Sequence, residues 1–167
     1  MTSLKNIWKS HGISVTTKAR LMKALVWPVA TYGCEGWTIK KCDEKRINGF
    51  EMKGLRQILR VSWMARRTNE RVLEQIGTER QLLSNIKTRK LKYFGHIVRK
   101  KGNCLEKEIM QGTTGGARAR GKPRTNWMEN IRSWTGLNMC QLMRTAEDRC
   151  IWRRTVHGAA QLRSEDG

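Results

Sequence analysis

The acidic side chains of this sequence are few and scattered, which limits the chemistry that they can perform. The three aspartates, Asp43, Asp148 and Asp166, are far apart in the chain, whereas two-metal nucleotidyl transfer needs carboxylates held close together. Each of the adjacent acid pairs Asp43–Glu44 and Glu147–Asp148 falls at a helical position, where capping or ion pairing is the ordinary role. No glycine loop carries the lysine and hydroxyl that bind nucleotide phosphates. The sequence therefore predicts no catalytic residue, no cofactor and no enzymatic activity.

Histidine and cysteine could bind a metal only if residues that are distant in the sequence meet. Cys140, Cys150 and His157 form one such set, and His96 with Cys104 forms another. Neither set contains the short Cys-x-x-Cys pair of typical zinc sites. We therefore predict no metal site, and we interpret the five cysteines as reduced thiols of an intracellular protein, nuclear or cytoplasmic.

Basic side chains, by contrast, are abundant and unevenly distributed. The chain has 34 Lys and Arg against 14 Asp and Glu, a formal net charge of +20. From Arg80 to Arg124 there are 13 Lys or Arg and two Glu, so more than half of the excess lies in about a quarter of the chain. Such a charge repels itself unless a polyanion neutralises it. Nucleic acid is the usual partner and an acidic membrane surface is the second candidate. No apolar run reaches membrane-spanning length, and we expect no membrane partner.

Binding of phosphates is the chemistry that these basic residues favour. Arginine and lysine fix phosphates, and glycine lets a backbone approach closely. The predicted sites are a basic helix and the Gly/Arg-rich stretch 112–124 behind it, which cannot hold a helix. The predicted nucleic-acid-binding residues are Arg66, Arg67, Lys87, Arg89, Lys90, Lys92, His96, Arg99, Lys100, Lys101, Arg118, Arg120, Lys122 and Arg124.

The elements that position these residues are predicted to be helices, because strand patterns are scarce. Thr16 or Thr17 is a plausible cap for the first long helix, and a kink is expected at Pro28. Its predicted core face consists of Leu21, Ala24, Leu25, Val29 and Tyr32. The fold class predicted from the whole pattern is all-α, an irregular helical array.

Further start and stop signals divide the rest of the chain into helices. Asp43 is a plausible cap for a helix with the stripe Ile47, Phe50, Leu55, Ile58 and Leu59. Thr68 or Asn69 opens a short helix that Gly77 closes. Gly136 ends a later helix and Asn138 can start another. Its predicted apolar positions are Leu142, Ala146, Trp152 and Val156.

The basic helix is predicted to have one core side and one cationic side. Thr78 and Gln81 have the spacing of a capping box at its start. The apolar side consists of Leu82, Leu83, Ile86, Tyr93, Phe94, Ile97 and Val98. The cationic side carries almost no acid, whereas ordinary surface helices mix both signs. We therefore expect Tyr93 and Phe94 in the core and the cations at the surface.

Five stretches in a fixed order resemble a known family. They are "SVTTKARLMKALVWPVATYGCEGWTIKK", "FEMKGLRQILRVSW", "TRKLKYFGHIVRK", "GKPRTNWMENI" and "AEDRCIWRRTV". Together they are similar to the C-terminal end of reverse transcriptases from non-LTR (LINE-type) retrotransposons, especially the RTE-like group. The resemblance runs from about Leu4 to about Val156, and no single stretch of the five is decisive.

The resemblance implies a thumb and post-thumb region of an RNA-directed DNA polymerase. It divides the chain into a thumb-like helical region (1–65), a basic helical region (66–111), a flexible Gly/Arg-rich linker (112–124) and a C-terminal helical unit with a frayed tail (125–167). Only binding or structural roles carry over, to Tyr32, Gly33, Glu35, Trp37, Gly95, His96, Arg99, Gly121, Pro123 and Trp127. The palm with its paired aspartates and the upstream endonuclease are not in this sequence, so we expect a truncated copy or a gene-model fragment.

Two classes of function remain open from the sequence. The first is a non-catalytic fragment that binds the RNA or DNA backbone electrostatically, with little sequence specificity. The alternative is a protein–protein interaction module, in which apolar surface left by the missing palm binds another protein or a second copy. A nonfunctional retroelement relic is a further alternative, which only detection of transcript and protein can test.

Overall fold

A computed structural model describes residues 4–102, 105–111 and 126–161 of the chain. Every regular element in these residues is helical, as the all-α prediction requires. The α-helices are α1 (Lys5–Lys9), α2 (Val15–Leu21), α3 (Trp27–Ala30), α4 (Lys41–Leu59), α5 (Asn69–Ile76), α6 (Leu82–Val98), α7 (Leu105–Gln111), α8 (Trp127–Thr135), α9 (Met139–Glu147) and α10 (Arg149–Gln161). The predicted linker 112–124 lies outside the described residues.

The contacts divide the chain into two compact units. The first comprises Met1–Tyr32 and Lys41–Leu83, and the second comprises Gly33–Lys40 and Ser84–Gly167. The predicted boundary between residues 65 and 66 falls inside the first unit. The short segment Gly33–Lys40 belongs to the same unit as the C-terminal helices. No pattern of apolar residues in the sequence indicates this assignment.

The first unit contains a helix that changes its pitch. α2 passes into a π-helix over Met22–Val26, which leads directly into α3 and Pro28. The buried residues along this run are Lys18, Ala19, Met22, Trp27 and Thr31. The step from Met22 to Trp27 is five residues, whereas those on either side are four, because a π-helix adds one residue to its turn.

This change of pitch overturns the predicted core face. Leu25 is 50 % exposed, Val29 is 79 % exposed and Tyr32 is 86 % exposed. The prediction assumed 3.6 residues per turn throughout, and the wide turn makes that spacing wrong. The predicted cap was also wrong, since Ser14 rather than Thr16 or Thr17 accepts a hydrogen bond from the Thr17 amide.

Other helix ends of the first unit follow the sequence signals in part. Thr68 caps α5 and Gly77 ends it in the left-handed conformation, as predicted. Asp43 lies inside the first turn of α4 rather than at its cap. In the core of this unit, Leu55, Ile58 and Val72 are buried.

The start of α6 is capped by a carboxylate from α4. Glu51 is buried, and its two oxygens accept hydrogen bonds from the amides of Gln81 (3.0 Å) and Leu82 (3.2 Å). The predicted capping box is therefore wrong. The Thr78 hydroxyl and the Gln81 side chain both accept hydrogen bonds from the Lys23 ammonium instead. Burial raises the pKa of Glu51, while the two amides lower it.

The second unit is built from α6, α8, α9 and α10. Phe94, Ile97, Ile131, Leu142 and Trp152 are among its buried residues. Gly136 ends α8 in the left-handed conformation, and Asn138 with Gln141 forms a full capping box at α9. The sequence predicted both of these boundaries, but it predicted one helix from Asn138 through Val156, whereas α9 ends at Glu147 and α10 begins at Arg149. The four apolar positions predicted along it, Leu142, Ala146, Trp152 and Val156, are buried.

Candidate nucleic-acid interface

Lys90, one of the predicted phosphate contacts, is fully buried in the second unit. Its side chain has 0 % exposure. The ammonium donates hydrogen bonds to the Trp37 carbonyl (2.7 Å) and to Oδ1 of Asn130 (2.8 Å). It also lies over the rings of Trp127 and Trp134, 4.8 and 5.3 Å from their centroids. The prediction of Lys90 as a nucleic-acid contact is therefore wrong, because no phosphate can reach this ammonium.

The partners of Lys90 fix the segment before α4 to α8. Asn130 accepts a hydrogen bond from the Ile39 amide (2.8 Å) and donates one to the Ile39 carbonyl (2.7 Å). The indole nitrogen of Trp127 donates to the Glu35 carbonyl (2.7 Å). Burial lowers the pKa of Lys90 to about 8, whereas its hydrogen bonds and the two indole faces favour the charged form.

Four further predicted cations of the second unit have partners within the chain. Arg89 forms an ion pair with Glu35, with Nη2 at 2.7 Å from Oε1. The ammonium of Lys100 lies 2.8 Å from the Glu106 carboxylate, and Arg99 donates to the carbonyl of Ala146. Lys87 stands 5.4 Å from the centroid of the Trp134 ring. Because these four side chains have partners within the protein, less of the positive charge on α6 is available to a polyanion.

Lys92, His96 and Lys101, three further predicted residues of this unit, are exposed to solvent. Lys92 and His96 lie one turn apart on α6, so their side chains leave the helix on the same side. Lys101 follows the end of the helix. The exposed cationic surface of α6 is thus narrower than the sequence predicts.

The packing of α10 on α6 adds basic residues to this surface. The Ser84 hydroxyl donates to the Ala160 carbonyl (2.8 Å), and the Trp152 indole nitrogen donates to the Leu91 carbonyl (3.0 Å). The partner's number falls as the number along α6 rises, so α6 and α10 are antiparallel. Gly95 allows the close approach, because a Cβ at this position would overlap the Trp152 indole.

Helical geometry predicts that two arginines of α10 lie on the same side of the second unit as Lys92 and His96. With Gly95 and Trp152 facing each other, helical geometry places Arg149 and Arg153 on the flank of α10 that borders the same side of α6. Both arginines are exposed. We call Lys92, His96, Arg149 and Arg153 the basic flank. The sequence prediction missed its two arginines, although their spacing of four on a helix without acids was a readable signal.

The remaining predicted residues lie elsewhere in the chain. Arg66 and Arg67 belong to the first unit and are exposed. Arg66 has a left-handed backbone (φ 44°) after the 3-10 turn Trp63–Ala65, and Arg67 donates to the Gln75 side chain (3.0 Å). The predicted contacts of the linker, Arg118, Arg120, Lys122 and Arg124, lie outside the described residues.

Tyr93 is at the surface rather than in the core, contrary to the prediction. Its side chain is 37 % exposed, whereas Phe94 beside it is fully buried. The Tyr93 ring meets the Trp127 ring edge to face, with centroids 6.4 Å apart and planes at 82°. The ring is thus in contact with Trp127, while more than a third of the residue is exposed to solvent.

Within the described ranges no group of three His, Cys, Asp or Glu side chains is arranged to hold a metal ion. Cys34 is buried, and Cys42, Cys140 and Cys150 are exposed, all four as free thiols. None of the helices described is long and apolar enough to cross a membrane.

Comparison with known proteins gives no relative for this chain. No protein-family model, no curated protein and no solved structure matches it. The resemblance to non-LTR reverse transcriptases, and the domain organisation that it implies, therefore stay predictions.

Proposed function

We propose that this chain is a nucleic-acid-binding protein that contacts the phosphate backbone of RNA or DNA without catalysing a reaction. The observation that supports this most is the basic flank. Two antiparallel helices bring four exposed basic side chains to one side of the second unit, in a chain with a net charge of +20. Two acids of the neighbouring surface, Glu35 and Glu106, are engaged by Arg89 and Lys100.

The origin that we propose is the C-terminal region of a non-LTR retrotransposon reverse transcriptase. The five stretches that carry the resemblance supply this part of the proposal, and the all-α fold agrees with it. In such a polymerase a non-catalytic helical region would hold template or target while another domain does the chemistry. The proposal assigns no reaction to any residue of this chain.

The salt dependence of binding tests the proposal. If about six phosphates are neutralised, the logarithm of affinity falls against the logarithm of salt concentration with a slope of about −5. That value applies to duplex DNA. For a labelled single-stranded RNA we expect a slope of about −4, because each neutralised phosphate of a single strand contributes about −0.7, and fluorescence anisotropy between about 50 and 300 mM salt measures it. A flat salt dependence would falsify electrostatic backbone binding.

A double variant locates the binding to the basic flank. Lys92→Ala combined with Arg153→Ala should weaken binding and reduce the slope by about two, since each lost phosphate contact removes about one unit. Lys45→Ala combined with Lys53→Ala is the matched control, because it removes the same charge from exposed positions of α4. Equal losses for the two double variants would mean that only net charge matters and that the flank is not the site.

An interaction module is the second candidate, and exposed apolar residues favour it. Leu25, Val29 and Tyr32 form a solvent-facing row on the run from the π-helix to the end of α3. Rows of this kind are typical of surfaces that another protein covers. Gel filtration with light scattering distinguishes the candidates, since a stable dimer without affinity for RNA supports the second.

A further inference from the structure

We infer that Tyr93 is a stacking platform for a base of single-stranded nucleic acid. This inference rests on the proposed function and adds to it the class of partner, a single strand rather than a duplex. Tyr93 is more than one third exposed on a helix whose neighbouring aromatic residue, Phe94, is completely buried.

The ring of Tyr93 is preorganised by its contact with Trp127. Trp127 is itself fixed, because its indole nitrogen donates to the Glu35 carbonyl and its ring covers the Lys90 ammonium. In an edge-to-face pair at 82°, Trp127 covers at most one face of the Tyr93 ring. More than a third of Tyr93 stays in solvent, and on the inferred platform a base stacks on the remaining face without a separate entropic cost for ordering the side chain.

Cations next to Tyr93 on α6 match the backbone that such a base would carry. His96 lies three residues after Tyr93, and Arg89 lies four residues before it, so both are neighbours on the helix surface. Lys92 precedes it and leads to the basic flank. The Arg89 side chain is still 41 % exposed while it pairs with Glu35. A strand lying along α6 therefore meets cations on both sides of the aromatic ring.

A partly exposed aromatic ring with flanking cations favours single strands over duplexes. Bases of a duplex are stacked on each other and present only their edges, so a protein ring on a helix surface cannot stack on them. Bases of a single strand have free faces, and alternation of aromatic and cationic side chains is the usual way to bind them. Stacking is tolerant of sequence, which agrees with the low specificity proposed above.

The test compares two strands that differ only in their bases. The probes are a fluorescein-labelled 12-nucleotide oligothymidylate and an abasic strand of the same length and label, with a 12-base-pair duplex as a third. At one salt concentration, the protein should bind oligothymidylate about five- to 100-fold more tightly than the abasic strand. Tyr93→Ala should bring this ratio close to one, while Tyr93→Phe should keep it.

Lys92→Ala is the matched control, since it should weaken binding of both single strands by the same factor. If circular dichroism shows that Tyr93→Ala does not fold, Tyr93→Leu replaces it, because leucine keeps apolar contact with Trp127 without a ring face. Equal binding of both strands by the unaltered protein, an unchanged ratio in the Tyr93→Ala or Tyr93→Leu variant, or tighter binding of the duplex overturns the stacking inference and leaves backbone binding in place. Absence of binding to all three probes overturns the proposed function itself.

Discussion

Lys90 joins the cationic pattern of α6 to the core of the second unit. In the sequence it is one more basic residue in a run of lysines and arginines, and nothing marks it as different. In the structure its ammonium holds the Trp37 carbonyl and Asn130 together, with two indoles around it. No carboxylate of the described residues is among its hydrogen-bond partners, so the indole faces and carbonyl oxygens must replace water around the charge.

The low pKa of Lys90 predicts a dependence of stability on pH. The pKa is about 8 in the folded protein, against 10.5 for an ordinary lysine. Between these values the unfolded chain holds the proton and the folded chain has lost it. Since the unfolded state then binds more protons, stability rises with pH from about 8 to about 10.5. Across this pH range, the deprotonation of Lys90 changes the free energy of unfolding by about 3 kcal/mol.

Urea unfolding at pH 7.5, 9 and 10, chosen as roughly spanning this window, measures the effect. Lys90→Met is the variant, and it should lack this rise, so that the difference in unfolding free energy between the two proteins changes with pH. Lys92→Met is the control for an exposed lysine and should follow the unaltered protein. Parallel curves for the unaltered protein and Lys90→Met would show that Lys90 keeps its proton throughout this range.

Single residues also mark where prediction from the sequence ends. The burial of Phe94, Ile131 and Leu142 could be predicted, because apolar residues that recur at helical spacing identify the face that packs into the core. The burial of Lys90 could not, because it depends on Trp37, Trp127 and Trp134. The contact of the Tyr93 ring with Trp127 could not be predicted either. These partners are distant in the sequence, and no local spacing indicates which of them meet.

The helical run that contains the π-helix Met22–Val26 is the element for which the sequence prediction and the structure differ most. Capping residues and C-terminal glycines predicted both ends of α5, the end of α8 and the start of α9, because these signals act within one turn. The core face of the helical run from Val15 to Ala30 was predicted wrongly, because one added residue shifts every later position around the axis. The cap of α6 was missed for a related reason, since Glu51 comes from another helix.

Two leucines of the first unit separate the predicted face from the observed one. Leu55→Ala should lower the free energy of unfolding by about 2–5 kcal/mol, because Leu55 is 1 % exposed and its loss leaves a cavity. Leu25→Ala should cost less than about 1 kcal/mol, since half of that side chain is already in water. Thermal or urea unfolding of both variants provides the comparison. A larger loss for Leu25→Ala would mean that another surface covers this residue in solution.

At the scale of the whole molecule, nucleic-acid binding and self-association are expected to respond to salt in opposite directions. With a net charge of +20, two copies repel each other at low ionic strength. Salt screens that repulsion, and the Debye length falls to about 10 Å at 0.1 M. Association through Leu25, Val29 and Tyr32 should therefore strengthen as salt is added, whereas binding to nucleic acid should weaken.

Light scattering over the same salt series as the RNA titration measures both tendencies. If the apolar row mediates self-association, the mass rises with salt, and Val29→Asp keeps the protein monomeric. Leu55 is unsuitable for this purpose because it is buried, so Lys45→Asp, at an exposed position of α4, is the control for the added carboxylate. A mass that stays monomeric across the series removes self-association as the role of this row.

The extra residue of the π-helix and Pro28, which follows it, depend on each other. In a regular α-helix the proline ring would press against the carbonyl of the residue four positions earlier. The five-residue turn of Met22–Val26 stands just before that ring and moves this part of the backbone. A related chain with one residue fewer between Met22 and Trp27 would keep Lys18, Met22, Trp27 and Thr31 on one face of a regular α-helix. The Pro28 ring would then lie in a regular α-helical turn, where it clashes with the backbone. The insertion and the proline are thus expected to be gained or lost together during descent.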